Sequence, residues 1–279
     1  MVKIKRGLFI GINYTGTSNA LRGCINDQEN LTEFFINKDI LEKKELVLMN
    51  DFKTGDLYPT KVNILKQIDT LVEFCNNNQD NEILLVFAYS GHGSFIRDKN
   101  GDEEDHKDEV LCPIDCDLGN FISDDIIKQD LVDKLGKNVK LVMFMDCCHS
   151  GTIVDLKYNY KIDNKDTCTV YGTFNDSKCK VVSISGCLDK QTSADAYMRD
   201  KRQFEFQGAM TSSFLNSYSD NISYKELINK MRNLLLEGNF QQIPQLSTSF
   251  SINTADKFLL SESLPDKVID DKSSCCKCS

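Results

Sequence analysis

The chain has 279 residues and a formal net charge of −9. An acidic protein of this kind lacks the basic face that binds a phosphate backbone, so we expect no nucleic-acid partner. It has no run of 18 apolar residues and no signal-peptide core, which argues against a membrane span and against secretion by that route. Its 12 cysteines then indicate reduced thiols in the cytoplasm rather than a disulfide framework.

Strand and helix signals alternate along the chain. In order, we predict a strand at 8–12, a helix at 26–37, a strand at 45–49, a helix from 59, a strand at 82–88, a helix at about 124–135, strands at 139–145 and 179–186, helices at 208–218 and 224–236, and a short strand at 257–260. This β-α-β-α order predicts an α/β fold, with a mostly parallel central β-sheet flanked by helices on both faces.

We expect a single domain at 1–260. Residues 157–178 lack hydrophobic periodicity and are rich in Asn, Asp, Lys and Thr, which predicts an exposed linker between the parts 1–156 and 179–260. The polar residues 261–279 predict a disordered, Cys-containing tail.

Two of the predicted strands end in reactive residues flanked by small ones. The strand at 82–88 leads into Tyr-Ser-Gly-His-Gly at 89–93, and the strand at 139–145 leads into Asp-Cys-Cys-His-Ser-Gly at 146–151. Uninterrupted apolar runs are typical of strands buried on both faces of a parallel sheet, and ligands bind beyond the carboxyl ends of such strands. A histidine and a cysteine would then share one cleft, which predicts a cysteine hydrolase.

His92 is the candidate for proton transfer because it lies between two glycines, where little side chain blocks access. His106 lies in a solvated acidic loop, and His149 points away from its neighbour Cys148, since adjacent residues of an extended chain face opposite sides. By the same alternation only one of Cys147 and Cys148 faces the cleft. We assign the nucleophile to Cys148, which precedes a turn, and we expect Cys147 to be a small buried hydrophobe.

The segments 89–93 and 146–151 resemble the two catalytic signatures of metacaspases, the caspase-like cysteine peptidases of plants, fungi and protists. Further resemblance lies in Gly-Ile-Asn-Tyr at 11–14, Gly-Cys-Ile-Asn-Asp at 23–27, Ser-Gly-Cys at 185–187, Gln-Thr-Ser-Ala-Asp at 191–195 and Pro-Gln-Leu-Ser at 244–247. The spacing of histidine and cysteine agrees with the roughly 50 residues found in caspases. The resemblance implies a caspase-like fold of the type I form without a prodomain, with a large-subunit-like part at 1–156 and a small-subunit-like part at 179–260.

The resemblance also implies the catalytic roles. Cys148 is the nucleophile, His92 assists proton transfer to the leaving amine, and the N–H groups of Gly93 and Cys148 form the oxyanion hole. The family cuts after Arg or Lys, for which a buried carboxylate cluster gives the physical basis. The corresponding specificity pocket maps to Cys24, Asp27, Ser90, Asp146 and Asp195. In the alternative interpretation the aspartates are helix caps or ion-pair partners.

The family resemblance places calcium on four carboxylates from separate segments: Asp108, Asp124, Asp125 and Asp155. Carboxylate oxygens are ligands that Ca²⁺ prefers, and we expect calcium to order the loops of the cleft and activate the enzyme. The alternative is that Asp124 or Asp125 caps a helix. The loop near 98–102 is no EF-hand, because its glycine comes one position early and no glutamate closes it.

Some residues depart from the family pattern or have a second interpretation. Phe95 stands where the family usually has Gln, and His106 and Lys107 replace a Gly-Tyr pair. The last four residues fit a C-a-a-X lipidation pattern without its usual aliphatic residues, with Cys275 as a second acyl site. These thiols are otherwise unmodified. Lysines at three linker positions are candidate self-cleavage points or solubilising charges: Lys157, Lys161 and Lys165.

The leading hypothesis is a monomeric, calcium-activated cysteine endopeptidase that cleaves proteins or peptides after Arg or Lys. The alternative is a catalytically silent caspase-fold regulator or scaffold, which has no chemical need to keep both His92 and Cys148. An Asp-specific caspase is disfavoured because the mapped aspartates would repel an acidic side chain.

Overall fold

The structure is a computed structural model that describes residues 3–97, 107–147, 156–162, 167–170, 177–186, 195–199, 204–240, 242–258 and 260. Its strands are β1 (Lys3–Gly11), β2 (Leu46–Asn50), β3 (Glu82–Ser90), β4 (Gly93–Arg97), β5 (Lys107–Leu111), β6 (Ile122–Ser123), β7 (Val139–Asp146), β8 (Tyr158–Lys161), β9 (Thr167–Val170), β10 (Lys180–Ser185), β11 (Asp195–Arg199), β12 (Phe204–Gly208) and β13 (Gln245–Thr248). Its helices are α1 (Cys24–Asn37), α2 (Lys61–Asn76), α3 (Asp124–Asp130), α4 (Ala209–Ser217) and α5 (Tyr224–Glu237).

Eight strands form the central sheet in the order β2-β1-β3-β7-β10-β13-β8-β9. The pairings from β2 through β10 are parallel, and β13, β8 and β9 extend the sheet with antiparallel pairings. Two small antiparallel sheets, β4-β5-β6 and β11-β12, lie outside it. The predicted α/β class with a mostly parallel central sheet is confirmed.

Alternate residues of the buried strands supply two separate cores, one on each face of the sheet. On β3, Leu85 and Phe87 join α2 and α3 in the first core, whereas Val86 and Ala88 join α1, α4 and α5 in the second. The strand needs apolar residues at every position because both of its faces are covered. Helices therefore flank both faces, as predicted, and the carboxyl ends of β1, β3, β7 and β10 share one edge.

Helix starts follow local capping signals. Thr60 caps α2 by accepting a hydrogen bond from the Asn63 N–H, and Ser223 forms a capping box with Glu226 at the start of α5. The helix predicted from 59 is present and begins two residues later, at Lys61. No helix of the described ranges is long and apolar enough to cross a membrane.

The sequence-based interpretation of 157–178 as an exposed linker is wrong at 158–161 and 167–170, which form the strands β8 and β9 of the central sheet. β8 pairs with β13 inside the central sheet, and Tyr158, Tyr160 and Ile162 are buried in the second core. Lys161, a predicted self-cleavage point, is the last residue of β8, whereas Lys165 lies outside the described residues. The alternation of Tyr158, Tyr160 and Ile162 with polar residues is a strand pattern, which the polar composition obscured.

Two smaller predictions also need correction. The predicted strand at 257–260 is reduced to a single bridge between Lys257 and Ser223, while β13 lies earlier, at Gln245–Thr248. The helix predicted at 124–135 ends at Asp130 and is followed by a 3₁₀ turn at Val132–Lys134. The predicted tail at 261–279 lies outside the described residues.

Candidate active site

The ends of β3 and β7 bring the two reactive segments side by side. In the parallel pairing Ser90 lies opposite Asp146, and the Gly91 N–H donates to the Asp146 carbonyl at 3.3 Å. The chain after β3 and the chain after β7 therefore leave the same edge of the sheet next to each other. This places His92 beside the start of the segment that carries Cys147 and Cys148.

His92 is held through its ring and its backbone. Its Nε2 lies 2.7 Å from the carbonyl oxygen of Asn19, and its ring stacks at a tilt on Tyr14, with the ring centroids 4.7 Å apart. A carbonyl oxygen can only accept a hydrogen bond, so Nε2 carries the proton in the neutral imidazole. Nδ1 is then the nitrogen that remains to exchange a proton.

The oxyanion-hole and nucleophile predictions concern the residues that follow. Gly93 opens β4 directly after His92 and pairs with Leu111 of β5. Cys147 is fully buried in the first core, as expected for the thiol that does not face the cleft. Cys148 lies outside the described residues.

Asp27 and Ser90, two of the predicted pocket residues, are in direct contact. The Ser90 hydroxyl donates to Asp27 Oδ2 at 2.6 Å, and the Gly208 N–H donates to Asp27 Oδ1 at 2.8 Å. Asp27 is 0% exposed and Ser90 is 4% exposed. A carboxylate from α1 is thus oriented by two neutral donors from β3 and β12.

Asp146 lies on the other side of the same glycine. Its Oδ2 accepts a hydrogen bond from the Thr211 N–H at 2.9 Å, at the N-terminus of α4. A Cβ added to Gly208 would lie 2.2 Å from Asp146 Oδ2 and 2.6 Å from Asp27 Oδ2. The two carboxylates therefore flank Gly208, and only a residue without a side chain fits between them. We call Asp27 and Asp146 the pocket pair.

The remaining pocket predictions are placed less completely. Cys24 is buried at the first position of α1, where its N–H donates to Asn13 Oδ1 at 3.0 Å. Asp195 lies opposite Gly208 in the pairing of β11 with β12, which sets its backbone next to the pocket pair. The side chain of Asp195 lies outside what the structure describes.

The candidate calcium ligands lie on the small sheet β4-β5-β6 and on the helix that follows it. Asp108 and Asp124 are buried, and we call them the loop pair. Asp124 Oδ2 accepts from the Glu109 N–H at 2.9 Å, and Oδ1 accepts from the Asp125 N–H at 2.7 Å. Burial raises the pKa of Asp124 from its ordinary 3.8 to about 6, and the charge of Asp108 adds to the rise.

The helix-capping alternative for these aspartates is wrong, because Ser123 is the N-cap of α3 and its hydroxyl accepts from the Ile126 N–H. The oxygen donors fit a hard cation in type. Within the described ranges, however, no three Asp, Glu, His or Cys side chains gather into a metal-binding group. Asp155, the fourth predicted ligand, lies outside those ranges.

Several residues of the site were not predicted. Asn19 orients the imidazole, Tyr14 contacts it, Gly208 separates the pocket pair and Thr211 donates to it. Their contacts join segments far apart in the chain, and a single sequence carries no periodic signal for such contacts. Gly208, the first residue of the helix predicted at 208–218, was the one of these positions whose residue type hinted at a close approach.

Comparison with known proteins identifies the family of the chain. Residues 5–157 match the family described as "Metacaspase, peptidase C14 domain". The chain is 34% identical to Metacaspase-1 of Debaryomyces hansenii, over 92% of this chain and 67% of the relative. It is 33% identical to Metacaspase-1 of Yarrowia lipolytica, over 92% of this chain and 64% of the relative.

The chain thus spans about two thirds of the length of these relatives. The crystal structure of a protein from Geobacter sulfurreducens is similar in fold, with a TM-score of 0.61 at 21% identity, over 95% of this chain and 99% of that one. The family match covers more than half of the chain and includes the ends of both β3 and β7. The protein therefore belongs to the metacaspases, a family of cysteine-type peptidases.

Proposed function

We propose that this protein is a calcium-activated cysteine endopeptidase that cleaves after Arg or Lys. The observation that carries the specificity is the pocket pair, two buried carboxylates at the edge of the sheet from which His92 departs. A hydroxyl and two backbone N–H groups donate hydrogen bonds to the pair and orient its carboxylates. Two adjacent carboxylates favour a cationic side chain in the same pocket and disfavour an acidic one.

The chemistry follows from the groups at the ends of β3 and β7. The Cys148 thiolate attacks the carbonyl carbon of the scissile bond, and the oxyanion that forms accepts hydrogen bonds from the N–H groups of Gly93 and Cys148. Nδ1 of His92, whose Nε2–H is held by the Asn19 carbonyl, takes the proton of the Cys148 thiol and then gives it to the leaving amine as the C–N bond breaks. Water then hydrolyses the thioester, with His92 accepting a proton, and the thiol is restored.

In this proposal Asp108, Asp124, Asp125 and Asp155 would hold Ca²⁺, whose positive charge would favour the ionised form of these carboxylates. The raised pKa of Asp124 supports it, because a carboxylate whose ionisation is disfavoured by burial and by a like charge gains from a cation. Asp108 on β5 and Asp124 on α3 lie in the segment that connects His92 to β7. A cation there would order the wall of the cleft.

The test uses fluorogenic peptides that end in Arg, Lys or Asp before the reporter group, with calcium or with a chelator. We expect cleavage after Arg and Lys, none after Asp, and loss of cleavage in the chelator. Cys148→Ala and His92→Ala should each abolish turnover. Cys147→Ala is the matched control, because Cys147 is buried in the core and should be dispensable for chemistry.

Turnover that persists in Cys148→Ala but is lost in Cys147→Ala would reverse the assignment of the nucleophile. Absence of cleavage under every condition would favour the scaffold alternative. We further propose a monomer in a reducing compartment. Size-exclusion chromatography with light scattering tests the monomer.

A further inference from the structure

The loop between β1 and α1 carries a buried tyrosine in an unusual backbone conformation. Tyr14 is 3% exposed and has φ +50°, in the left-handed region that bulky residues seldom adopt. Such a conformation persists only where the surroundings determine it, and it is more frequent near functional sites. The contacts of Tyr14 explain why the chain keeps this conformation.

Hydrogen bonds hold the backbone on both sides of Tyr14. Asp51, just after β2, accepts from the Asn13 N–H through Oδ1 at 2.9 Å and from the Thr15 N–H through Oδ2 at 2.8 Å. One carboxylate thus holds the residues that precede and follow Tyr14. This clamp fixes the left-handed turn and points to a requirement for the position of the side chain.

The Tyr14 hydroxyl reaches the backbone of His92 directly. It accepts a hydrogen bond from the His92 N–H at 2.9 Å and donates to the carbonyl of Cys112 at 2.5 Å. The Cys112 N–H in turn donates to the His92 carbonyl at 3.1 Å. Burial raises the pKa of Tyr14 well above its ordinary value of 10, so the hydroxyl keeps its proton and remains a donor.

A second buried hydroxyl completes the contact. The Tyr89 hydroxyl lies 3.1 Å from that of Tyr14, 3.0 Å from the His92 carbonyl and 2.9 Å from the Cys112 carbonyl. A Cβ on Gly91 would lie 2.8 Å from the Tyr89 hydroxyl and 3.0 Å from that of Tyr14, so the chain passes over the pair only as glycine. The peptide groups on both sides of His92 are thereby anchored to two phenols.

We propose that Tyr14 is a positioning residue for His92. The Tyr14 hydroxyl fixes the His92 backbone N–H, and the Tyr14 ring packs on the imidazole that Asn19 holds through Nε2. The proposal rests on the proposed function, in which His92 transfers the proton. Tyr14 does not touch the reacting atoms. It fixes the position and orientation of the imidazole at the end of β3. A small displacement of a catalytic group lowers the reaction rate strongly.

The test compares Tyr14→Phe with Tyr224→Phe. Tyr14→Phe keeps the ring on His92 and removes the acceptor of its N–H. Tyr224 is also buried, in the second core, and its hydroxyl has no hydrogen-bond partner among the described residues. We expect Tyr14→Phe to lower kcat by about 10- to 100-fold with KM changed less than about twofold, and Tyr224→Phe to leave both unchanged.

Amide hydrogen exchange at His92, followed by NMR, tests the anchor without any turnover. The His92 amide should be protected in the wild type and in Tyr224→Phe, and should exchange faster in Tyr14→Phe. Should Tyr14→Phe fail to fold, Asp51→Asn loosens the clamp while leaving Tyr14 and His92 intact, and should lower kcat at constant KM with faster His92 exchange.

Unchanged kcat in the variant that is measured, an equal loss of kcat in Tyr224→Phe, or a change confined to KM would each overturn the proposal. Full activity in His92→Ala would instead refute the proposed function. In that case the His92 exchange rate still reports whether Tyr14 holds this residue, so the two failures are distinguishable.

Discussion

The pocket pair and the loop pair are both made of two buried aspartates, yet the protein holds them in different ways. In the pocket pair, Asp27 accepts from Ser90 and Gly208 while Asp146 accepts from Thr211, so the donors come from β3, β12 and the start of α4. In the loop pair, both oxygens of Asp124 are used by nearby backbone N–H groups of Glu109 and Asp125.

The two pairs are therefore prepared for a ligand in different ways. The N-terminus of α4 carries a partial positive charge. Gly208, the last residue of β12 and the N-cap of α4, and Thr211 in the first turn of α4 both donate to the pocket pair. That arrangement orients the carboxylates before any substrate arrives. In the loop pair, burial is the largest cause of the raised pKa of Asp124, which is about 6. Its charge at neutral pH is therefore costly, and a cation would relieve the cost.

The largest effect should come from neutralising one member of the pocket pair. Asp146→Asn can still accept the Thr211 N–H through its amide oxygen, so it removes the charge and keeps that hydrogen bond. Removing one partner of a desolvated charge pair costs about 2–5 kcal/mol, so kcat/KM for an Arg peptide should fall by about 30- to 4,000-fold. Wild-type kcat/KM in this variant would mean that Asp146 does not recognise the substrate.

Asp27→Asn changes the hydrogen bonds of the pocket pair as well as its charge. Asp27 uses its two oxygens for the Ser90 hydroxyl and the Gly208 N–H, and an amide can accept at only one of them. We therefore expect the same loss of activity together with a lower midpoint of thermal unfolding than in Asp146→Asn. Equal unfolding midpoints in the two variants would contradict the described hydrogen bonds.

A smaller effect should follow when the separation of the pocket pair is changed without altering its charge. Gly208→Ala puts a methyl group 2.2 Å from Asp146 Oδ2, so the strand or the carboxylates must move. Overpacking of this kind costs about 1–3 kcal/mol in the free energy of unfolding, and kcat/KM should fall with it. Chemical denaturation measures the first and the Arg peptide the second.

Gly136→Ala is the matched control for Gly208→Ala. Its new methyl group would meet only the end of the Asn138 side chain, whose shift would cost at most the one hydrogen bond that its Nδ2 donates to the Asn81 carbonyl. We expect near wild-type stability and activity. A loss in Gly136→Ala as large as in Gly208→Ala would show that the effect does not come from the pocket pair.

The same two regions show how far the sequence could be interpreted. The apolar runs of β3 and β7 predicted both strands and their adjacency, because burial on two faces leaves a simple pattern. The pocket pair was indicated by family motifs and then found at one glycine. The roles of Tyr14 and Asn19 could not be predicted, since they depend on a loop conformation fixed by Asp51, which follows a different strand.

The smallest effect concerns the pH dependence of stability and the loop pair. Because the pKa of Asp124 is higher in the folded protein, at about 6, than its ordinary 3.8, the folded state binds this proton more tightly. The contribution of Asp124 to the free energy of unfolding therefore falls as pH rises from about 4 to about 6. Asp124→Asn lacks this fall, so its stability relative to the wild type should rise by about 1–3 kcal/mol across that window.

Denaturant titrations at several pH values, without calcium, measure the difference, and Asp117→Asn serves as an exposed control that should run parallel to the wild type. Calcium should then remove the advantage of Asp124→Asn above pH 6, because a bound cation favours the ionised carboxylate in the wild type alone. Parallel curves for Asp124→Asn and the wild type would show that burial does not hold this proton. If calcium left the stability advantage of Asp124→Asn unchanged, calcium binding at the loop pair would be refuted. The proposed substrate recognition by the pocket pair would be unaffected by that result.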